Sequence, residues 1–201
     1  LPHLEEDGRV TGGVWFTSDT HFRHKAMSAA GRGWRPFDTV EEHDEFLIEQ
    51  WNATVGPKDQ VWHLGDVGMG NELDVLKIVS QLNGEIHLIA GNHDPVWPGH
   101  RDAHKHQQAW MCVFRSVQAF ARRRIDGHTV MLSHLPYVGD HRDEERHVQY
   151  RLRDHGEWLL CGHVHDAWAQ RGRQINVGVD VRRWKPVHIE DIAKIIREGA
   201  T

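Results

Sequence analysis

Residues 87–95 read HLIAGNHDP, and the stretch changes character halfway. Leu88, Ile89 and Ala90 have the form of a buried strand end, and Gly91, Asn92, His93, Asp94 and Pro95 follow with no spacer. An apolar strand that runs into a glycine turn carrying an amide, an imidazole and a carboxylate is informative only if other strands end alike. Four do. The apolar run 14–17 leads into Ser18-Asp19-Thr20-His21, and 61–64 leads into Gly65-Asp66. Likewise 129–132 leads into Ser133-His134, and 158–161 into Gly162-His163-Val164-His165. In an α/β sheet the carboxyl ends of the strands lie along one edge, where ligands bind.

Working outward, strands are expected at 14–17, 61–64, 86–90, 113–120, 129–132, 158–161, 174–177 and 186–189, with the Asp126-Gly127 turn before the fifth. Helices are expected at 40–52, 73–82 and 191–198, the first opened by a capping box at Thr39-Val40-Glu41-Glu42. The segment 97–111 reads as irregular or helical. Strand–helix alternation followed by strand after strand predicts an α/β protein with two sheets face to face and helices outside. The 201 residues suit a single domain over 1–201, with 1–12 as a loosely ordered N-terminal segment.

A net charge of −5 excludes the basic field that drives general nucleic-acid binding. Arg122-Arg123-Arg124 and Arg171-Gly172-Arg173 read as solvated faces. Most of the eighteen histidines are expected at the surface. Cys112 and Cys161 suit two buried, reduced thiols, and no apolar run approaches membrane-spanning length, so a cytoplasmic location is the expectation.

The strand-end residues define a chemistry. Asp19 and His21 are two apart, as are His163 and His165, and on an extended chain such pairs share a face. The glycines before Asp66, Asn92 and His163 permit a sharp turn that brings each side chain inward. Two carboxylates, one amide oxygen and four imidazoles are too many for one metal ion and suit two, with one carboxylate bridging. Oxygen and nitrogen ligands without thiolate favour Mn²⁺, with Fe, Zn²⁺ and Ni²⁺ as alternatives. Four imidazoles argue against an all-Mg²⁺ site.

The motifs SDTHFRH, HLGDVG, AGNHD, LSHLPY and CGHVH span Ser18 to His165 in that order, and INVGVD follows near the C-terminus. On these motifs the chain resembles the calcineurin-like metallophosphoesterases of the small single-domain bacterial and phage type. The resemblance implies a four-layer α/β/β/α sandwich with two metals at the carboxyl edge of its sheets. It implies Asp19, His21 and His165 on one metal, Asn92, His134 and His163 on the other, and Asp66 bridging. His93 would face the substrate phosphate and the leaving oxygen. The implied reaction is hydrolysis of a phosphate ester by a hydroxide bridging two metal ions. A phosphodiester, nucleotide-like molecule or nucleic-acid end is the favoured substrate, because a chain this short lacks room for a substantial cap. A phosphomonoesterase, or a non-catalytic metal-binding interaction protein of the same fold, is the alternative. One departure stands out: many members carry an aspartate, three residues beyond the bridging one, that orients the catalytic histidine. Met69 occupies that position here.

His24 and Asp94 are weaker candidates for supporting or substrate-binding roles. Arg32 and Arg35 lie in a loop that could close over substrate, although Trp34 and Phe37 suggest that this loop packs onto the sheet. Tyr137 is read as pocket-lining or structural, and 182–186 as a surface hairpin. A metallo-β-lactamase-type centre needs His-x-His-x-Asp-His, which fails after His165 at Asp166-Ala167. A helical His-Asp hydrolase would have only His43-Asp44, in a chain too rich in strands.

Overall fold

The computed structural model describes residues 12–28, 31 and 34–199. In chain order the elements are β1 (Val14–Thr17), α1 (Val40–Thr54), β2 (Gln60–His63), α2 (Glu72–Val79), β3 (Glu85–Ile89), α3 (Ala103–Trp110) and β4 (Ser116–Gln118). Then come β5 (Ala121–Ile125), β6 (His128–Leu132), β7 (Trp158–Cys161), β8 (Gln170–Arg171), β9 (Gln174–Asn176), β10 (Val187–His188) and α4 (Ile189–Gly199). The N-terminal segment 1–12 lies, through residue 11, outside the described residues, and so does Arg32.

The first sheet has the order β10-β1-β2-β3-β4, parallel from β1 to β4 with β10 antiparallel at the edge. The second has the order β5-β6-β7-β9-β8, parallel through β6, β7 and β9 and antiparallel at both edges. Parallel neighbours need crossover connections, and α1, α2 and α3 supply those of the first sheet. The two-residue period of strands sorts the faces. Val61, Ile86 and Leu88 turn outward onto Leu47, Trp51, Val75, Val79 and Trp110 of the helices. Phe16, Trp62, Leu64 and Ile89 turn inward onto Val130, Leu132, Trp158, Leu160 and Ile175 of the second sheet, and Ile192 and Ile196 of α4 join this inner core. Two mixed sheets with flanking helices are thus the expected α/β sandwich. The cover over the outer face of the second sheet is thin: Leu159 and Cys161 pack there against Tyr137, Leu152 and Trp168. Tyr137 is therefore a packing residue.

Thr39 caps α1 by accepting from the Glu42 N–H (3.1 Å), while the Glu42 carboxylate accepts from Asp38 N–H, one residue outside the usual box. Several expectations need correction. The strand expected at 113–120 is only β4, and the chain then crosses to the other sheet as β5, which the arginine run concealed. Arg122 and Arg124 face solvent, but Arg123 lies over the Trp62 ring (5.4 Å) and bonds Gln60 (3.0 Å), with Ile125 buried beyond it. A long aliphatic stem lets arginine alternate like any strand residue. Residues 182–186 are not a hairpin, because they join β9 of one sheet to β10 of the other; Trp184 packs on Phe37 and Arg35. Cys112 is exposed and only Cys161 is buried. Only five of the seventeen described histidines are exposed, so their abundance is not a surface habit.

Candidate metal centre

The ends of β1, β2 and β3 from one sheet and of β6 and β7 from the other converge. Asp19 N–H bonds Gly65 O and His21 N–H bonds Asp66 O, both at 3.0 Å, while Gly162 N–H bonds His134 O. Asp19, His21, Asp66, His134, His163 and His165 are all buried, and Asn92 is 7% exposed. The pairs two residues apart are not brought together by extended chain, as the spacing suggested. Asp19, His21, Asp66, His163 and His165 all have left-handed backbones, with φ of 57, 52, 54, 70 and 47°. Asp and His tolerate this region better than most residues, yet each such residue still costs on the order of 1–3 kcal/mol, and such strain clusters at functional sites. The sharp turns bring loops into van der Waals limits: a Cβ on Gly162 would collide with Ser18 Oγ and Asp19 Oδ2, and one on Gly91 with Asp66.

The hydrogen bonds of the four imidazoles have one pattern. His134 Nδ1 donates to Leu64 O (2.7 Å), His165 Nδ1 faces the Asp180 carboxylate (3.1 Å), and His163 Nε2 faces Asp140 (3.0 Å). His21 Nδ1 lies 3.3 Å from His24 Nδ1. Each ring is tied outward by one nitrogen, which leaves the other as a lone pair, the arrangement of metal-binding histidines. His21 Nε2 is buried with no hydrogen-bond partner. It lies 3.7 Å from Asp66 Oδ2 and 3.9 Å from Asp19 Oδ1. His134 Nε2 lies 3.2 Å from Asn92 Oδ1 and 3.4 Å from Asp66 Oδ2. Imidazole nitrogens and carboxylate oxygens converge here, and His21 Nε2 among them has no hydrogen-bond partner, a donor set that suits a cation. Ligand atoms of Asp19, His21 and His165 all lie within 4.8 Å of one another, as do those of Asp19, Asp66 and His134. The residues present fit metal ions.

Asp94, the weaker candidate in the turn, is fully buried and spans two loops. Its carboxylate accepts from Gly91 N–H (2.8 Å) in its own turn and from Asp66 N–H (3.0 Å) and Val67 N–H (2.9 Å) across the sheet edge. Asp66 Oδ1 in turn accepts from His93 N–H (2.9 Å). The β2 and β3 loops are thereby locked together, and Asp66 Oδ2 is left facing both His21 and His134.

A model of the calcineurin-like phosphoesterase superfamily domain matches residues 14–181. The chain belongs to that superfamily. It is 44% identical over 181 residues to the gene 66 protein of Mycobacterium phage L5, an alignment that covers 83% of this chain and 86% of the phage protein. With the gene 66 protein of Mycobacterium phage D29 the identity is 43% over 202 residues, covering 92% and 98% of the two chains. The fold matches the crystal structure of a protein of unknown function, AQ665, from Aquifex aeolicus, with a TM-score of 0.66, 24% identity, and coverage of 92% and 99%.

Electrostatics in this calcineurin-like phosphoesterase follow from the geometry. Burial alone would lower the His134 pKa, but Asp66 and then Asp19 and Leu64 O outweigh it, and the imidazole is pushed up to about 9. Burial likewise opposes ionisation of Asp66, yet His134 and then His21 hold it well below the usual carboxylate range. Burial and then Asp66 raise Asp94 to about 7, against the pull of its N–H donors. His21 is held well below its ordinary value by burial.

Two supports under the centre lay outside the candidates read from sequence. Asp180, which holds His165, is gripped by both Nε and Nη2 of Arg35 at 2.9 Å. Arg35 is 1% exposed and also donates to Asp19 O (2.6 Å), Thr20 O (3.0 Å) and His43 Nε2 (2.8 Å). His43 Nδ1 then donates to Asp44, which accepts from Arg23 N–H. The loop arginine thus packs beneath the centre instead of closing over it, and His43-Asp44 is the base of that stack. The second support is Asp140. Ligand atoms of Asp140, His141 and His163 lie within 4.8 Å, but Asp140 also pairs with Arg146 (2.9 Å) and Arg151 (3.5 Å). Two guanidinium groups on one carboxylate disfavour a metal ion there.

His93 is exposed beside this centre, its ring 5.6 Å from His21 and 6.1 Å from His24. Met69 bonds Phe22 O through its backbone, and among the described residues no side chain hydrogen-bonds the His93 ring in place of the absent aspartate; the Asp66 contact to the His93 N–H holds the backbone of the residue. His24 sits 5.2 Å from His21, half-buried, and burial followed by His93 lowers its pKa to about 4.

Proposed function

We propose that this phosphoesterase is a dinuclear metal-dependent hydrolase of phosphodiester or nucleotide-like substrates. The observation that carries the reading is the position of Asp66 Oδ2, which lies 3.7 Å from His21 Nε2 and 3.4 Å from His134 Nε2. An oxygen that faces one imidazole assigned to each ion supports Asp66 as the bridge. Asp19, His21 and His165 would hold one ion, and Asn92, His134 and His163, through Nδ1, the other. Mn²⁺ is the favoured ion for this donor set. When bound, two such ions supply a water acidic enough to attack near neutral pH and positive charge against the phosphoryl oxygens. The chain's own residues hold these groups dry and oriented: Leu64 O, Asp140 and Asp180 fix three imidazoles, and Asp94 fixes Asp66. His93, exposed and free to turn, would donate to the developing charge on the leaving oxygen.

The rim supports a substrate with a ring. Trp34 is 53% exposed and edges onto His165 at 5.1 Å, and Tyr150 is 46% exposed against Trp97. Exposed aromatic faces beside a phosphate site suit bases or aryl groups. The test is hydrolysis of bis(p-nitrophenyl) phosphate and p-nitrophenyl phosphate by protein stripped of metal and given Mn²⁺. Metal-restored turnover that prefers the diester is expected; monoester preference would overturn the substrate assignment. His93→Ala should retain metal and lose most turnover, whereas Asp66→Asn should lose metal as well.

A further inference from the structure

The geometry points to His24 as the residue that positions His21 for its metal ion, through an imidazole–imidazole hydrogen bond in which His21 Nδ1 donates and His24 Nδ1 accepts; it rests on the dinuclear reading above. Of the four imidazoles assigned to the ions, three are tied outward to oxygen: His134 to Leu64 O, His163 to Asp140 and His165 to Asp180. His21 differs. Among the described residues its outward nitrogen meets only another nitrogen, His24 Nδ1, at 3.3 Å.

Both rings stand three residues apart on one turn whose backbone is held along its length. His24 N–H bonds His21 O (3.1 Å), and His24 O accepts from Met27 N–H (2.9 Å) at the short helical turn Lys25–Met27. Phe22 is fully buried and bonds Val67 O through its N–H (2.9 Å). Arg23 N–H is taken by both oxygens of Asp44, at 3.2 and 3.1 Å. The His24 imidazole is thus carried on a fixed support.

The protons then have one consistent arrangement. A neutral imidazole offers one N–H and one lone pair. His21 Nε2 is the nitrogen that faces the rest of the centre, 3.7 Å from Asp66 Oδ2 and 3.9 Å from Asp19 Oδ1, and it is buried without a hydrogen-bond partner. For Nε2 to offer its lone pair to a cation, the His21 proton must sit on Nδ1. A proton there needs an acceptor, and His24 Nδ1 is the atom in reach. His24 is therefore neutral, with its own proton on Nε2; protons on both Nδ1 atoms would set two N–H groups against each other. Partners of this kind fix the tautomer and orientation of metal-binding histidines, usually as a carboxylate, a carbonyl or water. Here the partner is a second imidazole. Its Nδ1 is spent on His21, so His24 acts through that neighbour and is a positioning residue.

The experiment titrates metal-free protein with Mn²⁺ in a calorimeter, for wild type, His24→Phe and His24→Asn. Phenylalanine keeps a planar ring and removes the acceptor, whereas asparagine restores an acceptor near the place of Nδ1. His24→Phe is expected to weaken one of the two binding steps roughly 10- to 100-fold and leave the other unchanged, with the Tm in chelator equal to that of wild type. His24→Asn should recover most of the loss. In the Zn²⁺-loaded wild type, imidazole nitrogen NMR should place the His21 proton on Nδ1 and the His24 proton on Nε2. Both steps within about twofold of wild type in His24→Phe overturn the assignment, since the loss of such a partner costs more. The opposite pair of tautomers overturns it too, as does a His24→Asn variant as weak as His24→Phe. Equal weakening of both steps with a lower Tm in chelator overturns it by making the ring a structural filler. Saturation of His24→Phe at a single ion overturns it by making His24 itself a ligand. A wild type that binds Mn²⁺ but hydrolyses neither ester loses the phosphoesterase reading alone, and the titrations still decide the role of His24; a wild type that binds no metal overturns the pairing as well.

Discussion

Replacing Arg35 by methionine tests whether the centre stands on the stack beneath it. The side chain is 1% exposed and its aliphatic stem would be kept, so the loss is electrostatic. Asp180, 3% exposed, would lose two 2.9 Å hydrogen bonds and keep only His165. Asp19 O and Thr20 O would lose their donors at the same time. Removing one partner of a buried ion pair costs about 3–5 kcal/mol, and orphaned carbonyls add to that without simple additivity. For a domain of this size about 4 kcal/mol lowers Tm by roughly 8–16 °C. The melt is run with chelator in both proteins, so that metal binding does not contribute. Asp180→Asn in the same background removes the uncompensated charge, so the double variant should lose less than the sum of the singles. Arg35→Lys should recover only part, because an ammonium cannot reproduce the fork. A Tm change below about 2 °C for Arg35→Met, or strict additivity with Asp180→Asn, would refute the reasoning.

Three further outcomes follow from the same geometry. In Asp94→Asn one carboxylate oxygen becomes a donor facing backbone N–H groups, so metal affinity should fall roughly 10- to 100-fold by calorimetry; an unchanged affinity would confine Asp94 to shaping its turn. His63 is buried, accepts from Gly65 N–H through Nδ1 and meets Thr20 Oγ1 through Nε2, and burial followed by His134 lowers its pKa to about 3. Its folded value lies below the unfolded one, so its contribution is complete above pH about 6.5 and is lost as pH falls toward 3, at up to about 1.4 kcal/mol per unit; the His63→Gln variant should show a flatter acid limb in urea melts, and parallel limbs would count against it. His134, at about 9 without metal, must shed its proton to bind an ion, so calorimetry near pH 7.5 in buffers of different ionisation enthalpy should detect about one proton released, and none would contradict the assignment.

Much of the architecture is local chemistry and was legible in the chain. The runs at 14–17, 61–64, 86–90 and 158–161 form strands because apolar and β-branched residues sit between turn formers, and Thr39 starts α1 because its hydroxyl caps a free N–H. The convergence of Asp19, Asp66, Asn92, His134 and His163 was legible too, since each follows a small residue at a strand end. Other features were not. The strand β5 lay hidden in three arginines, because burial of an arginine stem depends on a ring, Trp62, from another element. Arg35 is separated from Asp180 by 145 positions and Arg146 from His163 by 17, and no spacing rule links them. The left-handed backbones at five of the seven candidate ligands were equally invisible, because only cross-loop bonds such as those of Asp94 to Gly91, Asp66 and Val67 hold residues there. Sequence alone determined which donor atoms this protein carries and at which strand ends, since composition and turn chemistry act over a few residues. Tertiary structure decided which nitrogen of each imidazole is tied outward, which carboxylate oxygen faces two imidazoles and which arginine is buried beneath the centre, because those depend on partners that meet only when the two sheets pack.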